Sequence, residues 1–378
     1  TEPQQAFPQT MFTRVERAGT DAFTDQRYGT TSNQTNVALA WQFLLAHGIQ
    51  QRVEVAIIDS GFWLDTQGRA RGADSDFVPA PAVPVQYDFV QDDSIADGPN
   101  AQPCAATNPC FWHGTGAAGV ATGIMNNNLG HAGTGSPIAT PILLKTNGTR
   151  TNRNWAVRTA VAWGAHVVSM SFGGDCNRAC RIYDRDHTPL ADAVNAGSRI
   201  VFVAAAGNGR GTPAAGYDVG DPNFRHPCIE DHVICVGAVQ ETPSALTPTA
   251  FSNFGARVTV FAPTNLTVMS YPQSIGPTGP LPIAQASGPE QPQTFGGTSA
   301  STPFVAGVAA MMRAINPNLN SGDVARILAE TARPGVGNAS RVRASPGSRR
   351  RRRVRRPGRG EGAGRRAGRG AARRPAGL

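Results

Sequence analysis

Three side chains that together could carry out acyl transfer, Asp59, His113 and Ser299, each lie in a local pattern that would present them. Phe295-Gly296-Gly297-Thr298-Ser299-Ala300-Ser301-Thr302-Pro303 sets a serine between a glycine-rich turn and an apolar run ending at Met312. Gly296 and Gly297 permit close backbone approach, and Pro303 is expected in the first helical turn, where its missing N–H costs nothing. Ser299 then sits near a helix N-terminus, whose amides and dipole stabilise negative charge developing on a substrate oxygen. Serine in such a turn is more often a cap than a nucleophile, so the assignment needs a base and an orienting group elsewhere.

Val53-Glu54-Val55-Ala56-Ile57-Ile58-Asp59-Ser60-Gly61 reads as a buried strand that runs into a carboxylate and a turn, placing Asp59 at the C-terminal edge of a sheet. His113-Gly114-Thr115-Gly116-Ala117-Ala118-Gly119 opens a small-residue helix with histidine in its first turn. A neutral His113 can take the Ser299 proton while Asp59 accepts from the other ring nitrogen. Taken singly, such a histidine is more often a cap or surface residue, and Asp59 alone could be a helix cap or a metal ligand. A second buried strand, Ile200 to Ala205, leads into Ala206-Gly207-Asn208-Gly209, where Asn208 can offer a side-chain amide to an oxyanion. Asn-Gly alone is usually a turn. Four such segments in one chain point to one site.

With these motifs the chain resembles the subtilisin-like serine proteases, the subtilases, from about Trp41 to Thr331. The likeness rests on Asp-Ser-Gly at Asp59, His-Gly-Thr at His113, Ser-Met-Ser-Phe-Gly-Gly at Ser169 to Gly174, Ala-Ala-Gly-Asn at Ala205 to Asn208, and Gly-Thr-Ser-x-x-x-Pro at Gly297 to Pro303. The resemblance implies a three-layer α/β fold with a mostly parallel central sheet and helices on both faces. It also implies a triad of Asp59, His113 and Ser299, with Asn208 in the oxyanion hole. Ser171, Phe172, Gly173, Ala206 and Gly207 would bind substrate, the first three pairing with it as an added strand and lining the S1 pocket. Two positions depart from the family pattern. Gly116 stands where a second histidine is usual, which is expected to loosen packing below the helix, and Ser301 replaces an alanine, adding a hydroxyl that needs a partner. The long interval from Asp59 to His113 suggests a surface insertion holding Cys104 and Cys110.

The elements that must position these groups alternate: helix at 36–47, strands at 53–58, 142–145, 167–171, 200–205 and 233–239, and helices at 113–122 and 154–163. That order argues for a parallel sheet covered on both faces. Residues 262–294, dense in Pro, Gly, Ser and Gln, are expected to form a long loop before the nucleophile. The domain reading is an extended arm or propeptide remnant at 1–35, a catalytic domain at 36–340 and a disordered tail at 341–378.

An apolar fraction of 40% with 16% charged residues fits one large globular α/β domain, and no stretch suits a bilayer span. The net charge of +9 misleads, because residues 341–378 hold 15 arginines and one glutamate, leaving 20 basic and 25 acidic residues elsewhere. The folded part is thus mildly acidic. With one lysine against 34 arginines, the tail reads as a GC-rich gene translated out of frame, ahead of a solvated tail or an anionic-surface anchor. No specific nucleic-acid partner is expected. Its replacement of the family's closing helix is expected to leave a patch of core uncovered.

Six cysteines fall into near neighbours, Cys104 with Cys110, Cys176 with Cys180, and Cys228 with Cys235, and local disulfides are the simplest reading, ahead of zinc. Such pairing suits secretion, with any leader outside this sequence. The run Met125-Asn126-Asn127-Asn128-Leu129-Gly130 reads as a turn before it reads as the calcium site the family often has there, since it contains no carboxylate. Asn147-Gly148-Thr149 and Asn265-Leu266-Thr267 match glycosylation acceptors. The expectation is a monomeric, secreted serine endopeptidase acting on polypeptides and needing no cofactor for its chemistry. A narrow maturation protease or transpeptidase comes next, then a catalytically silent binding protein, against which the four intact residues speak.

Overall fold

The computed structural model describes residues 35–70, 77, 82–98, 112–125, 131–172, 192, 199–209, 216–220, 227–241, 246–270, 275–276, 279–280 and 291–332. All of them belong to one compact unit, Thr1–Arg343, separate from Ala344–Leu378. The arm before residue 35, the Cys104–Cys110 and Cys176–Cys180 pairs, Gly173, Asn126–Gly130 and the arginine-rich tail lie outside the described residues.

The central sheet runs β2 (Val85–Asp88), β3 (Ala139–Lys145), β1 (Val53–Asp59), β4 (Val167–Met170), β5 (Val201–Ala205), β6 (Val233–Glu241), with β8 (Val260–Thr264) beside β6. These seven are parallel, and β7 (Leu246–Pro248) pairs antiparallel with β6. Alternation along the strands splits the core in two. Val53, Val55, Ile57, Val167, Val201 and Val203 face α1 (Val37–Ala46), α2 (His113–Thr122), α4 (Thr298–Ile315) and α5 (Ser321–Thr331), whereas Ala56, Ile58, Val168, Met170 and Phe202 face α3 (Arg150–Ala162). The sheet is therefore buried on both sides, as its near-continuous apolar strands require. The expected three-layer α/β fold is present, and chain order reverses direction on either side of β1, so the carboxyl ends of β1, β4 and β5 share one crevice.

Three expectations are corrected. Helix α3 begins at Arg150, not Asn154, because Thr149 caps it, its side chain accepting from the Asn152 N–H. Residues 262–294 contain strands as well as loop: β8 extends to Thr264, and β9 (Leu266–Ser270) pairs antiparallel with β12 (Gln291–Phe295), while β10 (Ile275–Gly276) and β11 (Gly279–Pro280) form a short ladder. Pro303 is not in the first turn of α4. The helix starts at Thr298, so the proline ring sits in its second turn and removes the N–H that would bond the Ser299 carbonyl.

Helix α2 is buried along nearly its whole length because its small residues allow close approach. A Cβ on Gly119 would lie 2.5 Å from Nε2 of His131, so that imidazole packs directly on the helix backbone. Burial drives the His131 pKa down to about 4, against a weaker opposing hydrogen bond that the imidazole donates to the Gly119 backbone carbonyl. The unfolded chain then binds the extra proton between pH 6.5 and 4, so His131 contributes stability above pH 6.5 that is lost as pH falls through this window. The expected loss is on the order of 3 kcal/mol. Thermal melts across that range should show a falling Tm in the wild type and a flatter dependence in His131→Asn.

Candidate active site

The site grows from the carboxyl end of β1. Asp59 is buried, and its Oδ1 accepts from the Ser60 backbone N–H at 2.7 Å, the Ser60 hydroxyl at 3.1 Å and His113 Nδ1 at 2.8 Å. Its Oδ2 is also buried and has no hydrogen-bond partner among the described residues. The neighbouring cation, Lys145, is committed to the buried Asp88, Nζ to Oδ2 being 2.6 Å. The Asp59–His113 pair is therefore a local one.

Helix α2 delivers the imidazole. Gly114 N–H donates to the Gly61 carbonyl at 3.0 Å and the Thr115 hydroxyl accepts from Trp63 N–H at 2.7 Å, clipping the helix start to the turn that follows Asp59. Gly61 is demanded there by φ of 147° and by the Gly98 carbonyl, only 2.0 Å from where its Cβ would stand. Burial of the imidazole disfavours its charged form, but the charge of Asp59 and its hydrogen bond outweigh this and hold the His113 pKa above its ordinary value.

Ser299 is the second residue of α4, with Gly297 at the N-cap in a conformation (φ 76°) that favours glycine. Its carbonyl, deprived of a helical partner by Pro303, accepts instead from the Ser171 hydroxyl at 3.0 Å. The Ser299 hydroxyl lies 3.5 Å from the Ser171 carbonyl, a long contact that holds it only loosely. Ser171→Ala would strand the Ser299 carbonyl, a cost of about 1–3 kcal/mol. A fall in Tm of several degrees, with a lower kcat as the turn shifts, is the expected result of melting and kinetic assays on that variant.

Asn208 follows β5, and the structure brings it against the same turn. Its Oδ1 accepts from Thr298 N–H at 3.0 Å and from the Thr298 hydroxyl at 3.1 Å. A backbone N–H can only donate, so the amide orientation is fixed and Nδ2 is left to point elsewhere as a donor. The backbone groups of Ala206 and Gly207 are engaged inside the fold: Ala206 N–H with Val236, Gly207 N–H with the Thr298 hydroxyl, and both carbonyls with Asn253. Ser171 is buried and Phe172 half-buried, with the Arg153 guanidinium 5.4 Å from the Phe172 ring centre.

Both departures from the family pattern find explanations. Packing at Gly116 is not loosened, because the Phe295 ring fills the space: a Cβ there would meet ring carbons at 2.8, 3.0 and 3.1 Å. The Ser301 hydroxyl, fully buried, lies 3.0 Å from both the Ala262 and Pro263 carbonyls. Thr264 adds a bond to the Gly297 carbonyl at 2.9 Å, so the end of β8 is tied to the turn that precedes Ser299. The sequence reading missed Asn253, Thr264, Thr298 and Phe295 as positioning groups. A single clue to Asn253 was its place in a Ser-Asn-Phe-Gly turn.

The sequence profile of the subtilase family matches residues 50–364. An extracellular protease of Xanthomonas campestris pv. campestris is 28% identical over 341 residues, covering 81% of this chain and 51% of that protein; this chain thus spans about half its length. Thermitase of Thermoactinomyces vulgaris is 28% identical over 302 residues, covering 77% of this chain and 83% of thermitase. Among solved structures, a protease of Pseudoalteromonas arctica has the same fold at a TM-score of 0.63 and 20% identity, covering 85% of this chain and 95% of that one.

Proposed function

Since the chain belongs to the subtilase family of serine endopeptidases, we propose that it is a secreted enzyme that cleaves polypeptides with Asp59, His113 and Ser299 acting as one triad. The observation that supports this most is the 2.8 Å bond from His113 Nδ1 to Asp59, which fixes the tautomer leaving Nε2 as the base. The imidazole packs on Phe295, four residues before Ser299, so base and nucleophile flank one turn.

In this reading Ser299 Oγ attacks the scissile carbonyl as His113 removes its proton. The imidazolium, stabilised by Asp59, then protonates the leaving amine and an acyl-enzyme forms. Water attacks the acyl carbonyl, gives a proton to His113, and Ser299 is released with its proton restored. Nδ2 of Asn208 and the Ser299 backbone N–H stabilise the oxyanion of both tetrahedral intermediates. Ser171, Phe172 and Gly173 receive the substrate as an added strand, while Ala206 and Gly207, whose backbone groups are already bonded, contribute shape. Secretion is supported by the extracellular name of the Xanthomonas relative and by the buried Cys228–Cys235 disulfide, which suits an oxidising compartment.

Mass spectrometry of peptide products formed in H₂¹⁸O tests this. Hydrolysis puts one solvent oxygen into each new carboxylate, whereas a transpeptidase joins the acyl group to an amine without that label. Labelled products are expected.

A further inference from the structure

The segment that presents Ser299 also carries an aromatic ring set against the base. Phe295 ends β12, where it is registered with Leu266 of β9, so the position of its backbone is fixed by a ladder rather than by a free loop. From there its half-buried ring meets the His113 imidazole edge-on, with ring centres 5.0 Å apart and planes at 71°. The space it uses exists only because Gly116, one turn after His113 along α2, has no side chain: the would-be Cβ falls 2.8 Å from ring Cδ2 and 3.0 Å from Cγ. Any other residue at 116 must displace the ring, since real Cβ contacts do not come so close.

Building on the protease reading, we propose that Phe295 is a positioning residue for the catalytic base: admitted by Gly116, its ring holds the His113 imidazole in the orientation that keeps Nδ1 on Asp59 and Nε2 toward the nucleophile turn. Asp59 anchors the imidazole at Nδ1; a ring packed edge-to-face on it adds a restraint on its orientation. Because β12 runs directly into Gly296-Gly297-Thr298-Ser299, one short segment sets both the nucleophile and the brace on its base.

The test is steady-state kinetics on a neutral peptide for wild type and for Phe295→Ala, Phe295→Leu, Phe295→Tyr, Gly116→Ala and the Gly116→Ala/Phe295→Ala double variant, each checked for folding by thermal melt. Loss of one aromatic contact corresponds to about a three- to tenfold fall in kcat. That fall is expected for Phe295→Ala and Phe295→Leu with KM within twofold, while Phe295→Tyr, which keeps the ring, stays near wild type. Gly116→Ala should also lower kcat, although alanine is the better helix former. The double variant should be no worse than Phe295→Ala, as no ring remains to displace. Should Phe295→Ala not fold, Phe295→Leu compared with Phe295→Tyr decides the matter. Equal kcat for leucine and tyrosine, effects confined to KM, or additive losses in the double variant would overturn the proposal while leaving the protease reading intact. A folded wild type that cleaves no peptide would overturn that reading, and this one with it.

Discussion

Replacing Ser299 by alanine should abolish peptide hydrolysis, lowering kcat by about 10⁶-fold, the loss already established for subtilisin itself. His113→Ala should cost about as much, and the double variant little more than either. The reason is mechanical interdependence: without the base the hydroxyl keeps its proton, and without the hydroxyl the base has nothing to activate. KM should change far less, since neither group holds the ground-state substrate. Ser299→Ala keeps the carbonyl bond that ties the start of α4 to Ser171, so the fold around the turn is expected to survive that change. The pH profile gives a further signature. The Asp59 carboxylate holds the His113 pKa above 6.5 despite burial, so kcat/KM should climb with pH through an apparent pKa above 6.5. The same pair stabilises the fold fully below pH 6.5, and that contribution fades as pH rises through the folded-state pKa.

Asn208→Ala should lower kcat by roughly 10²–10³-fold, the magnitude known for the side-chain oxyanion donor of subtilisin. Geometry makes this change informative. Thr298 donates to Asn208 Oδ1 through both its N–H and its hydroxyl, so the amide cannot flip without opposing donor to donor. Asn208→Asp should be at least as damaging, because a carboxylate offers no N–H to the oxyanion and adds a like charge beside it. Kinetics on an amide substrate, with KM near wild type and kcat reduced, is the measurement; a kcat within threefold of wild type for Asn208→Ala would remove Asn208 from the oxyanion hole.

Local patterns carried most of what the sequence could reveal. An uninterrupted apolar run into Asp59 is a parallel strand's signature, and the glycine and alanine repeat after His113 allows little except a helix packed tightly on its neighbours, so β1 and α2 lie where the sequence places them. The β9–β12 ladder was not legible, because the short apolar β9 lies in a stretch dense in Pro, Gly, Ser and Gln that suggests a loop, and its partner Gln291-Pro292-Gln293-Thr294-Phe295 has no strand pattern of its own. Pro303 misled for a related reason. Its cost inside α4 is offset by a hydroxyl from Ser171, far away in sequence, and such compensation leaves no local trace. Likewise Gly116 looks like a loss until Phe295 is seen to fill the space. Asn253, fully buried, serves three backbone groups around Gly207, yet its neighbours advertise only a turn.

The most direct trial is covalent labelling of the purified, folded protein by a fluorophosphonate, which reacts only with a serine activated by a base. Wild type should be labelled at Ser299, as read by peptide mapping, and labelling should vanish in Ser299→Ala and in His113→Ala. A folded wild type that resists the probe, or label that persists in Ser299→Ala, would contradict the triad.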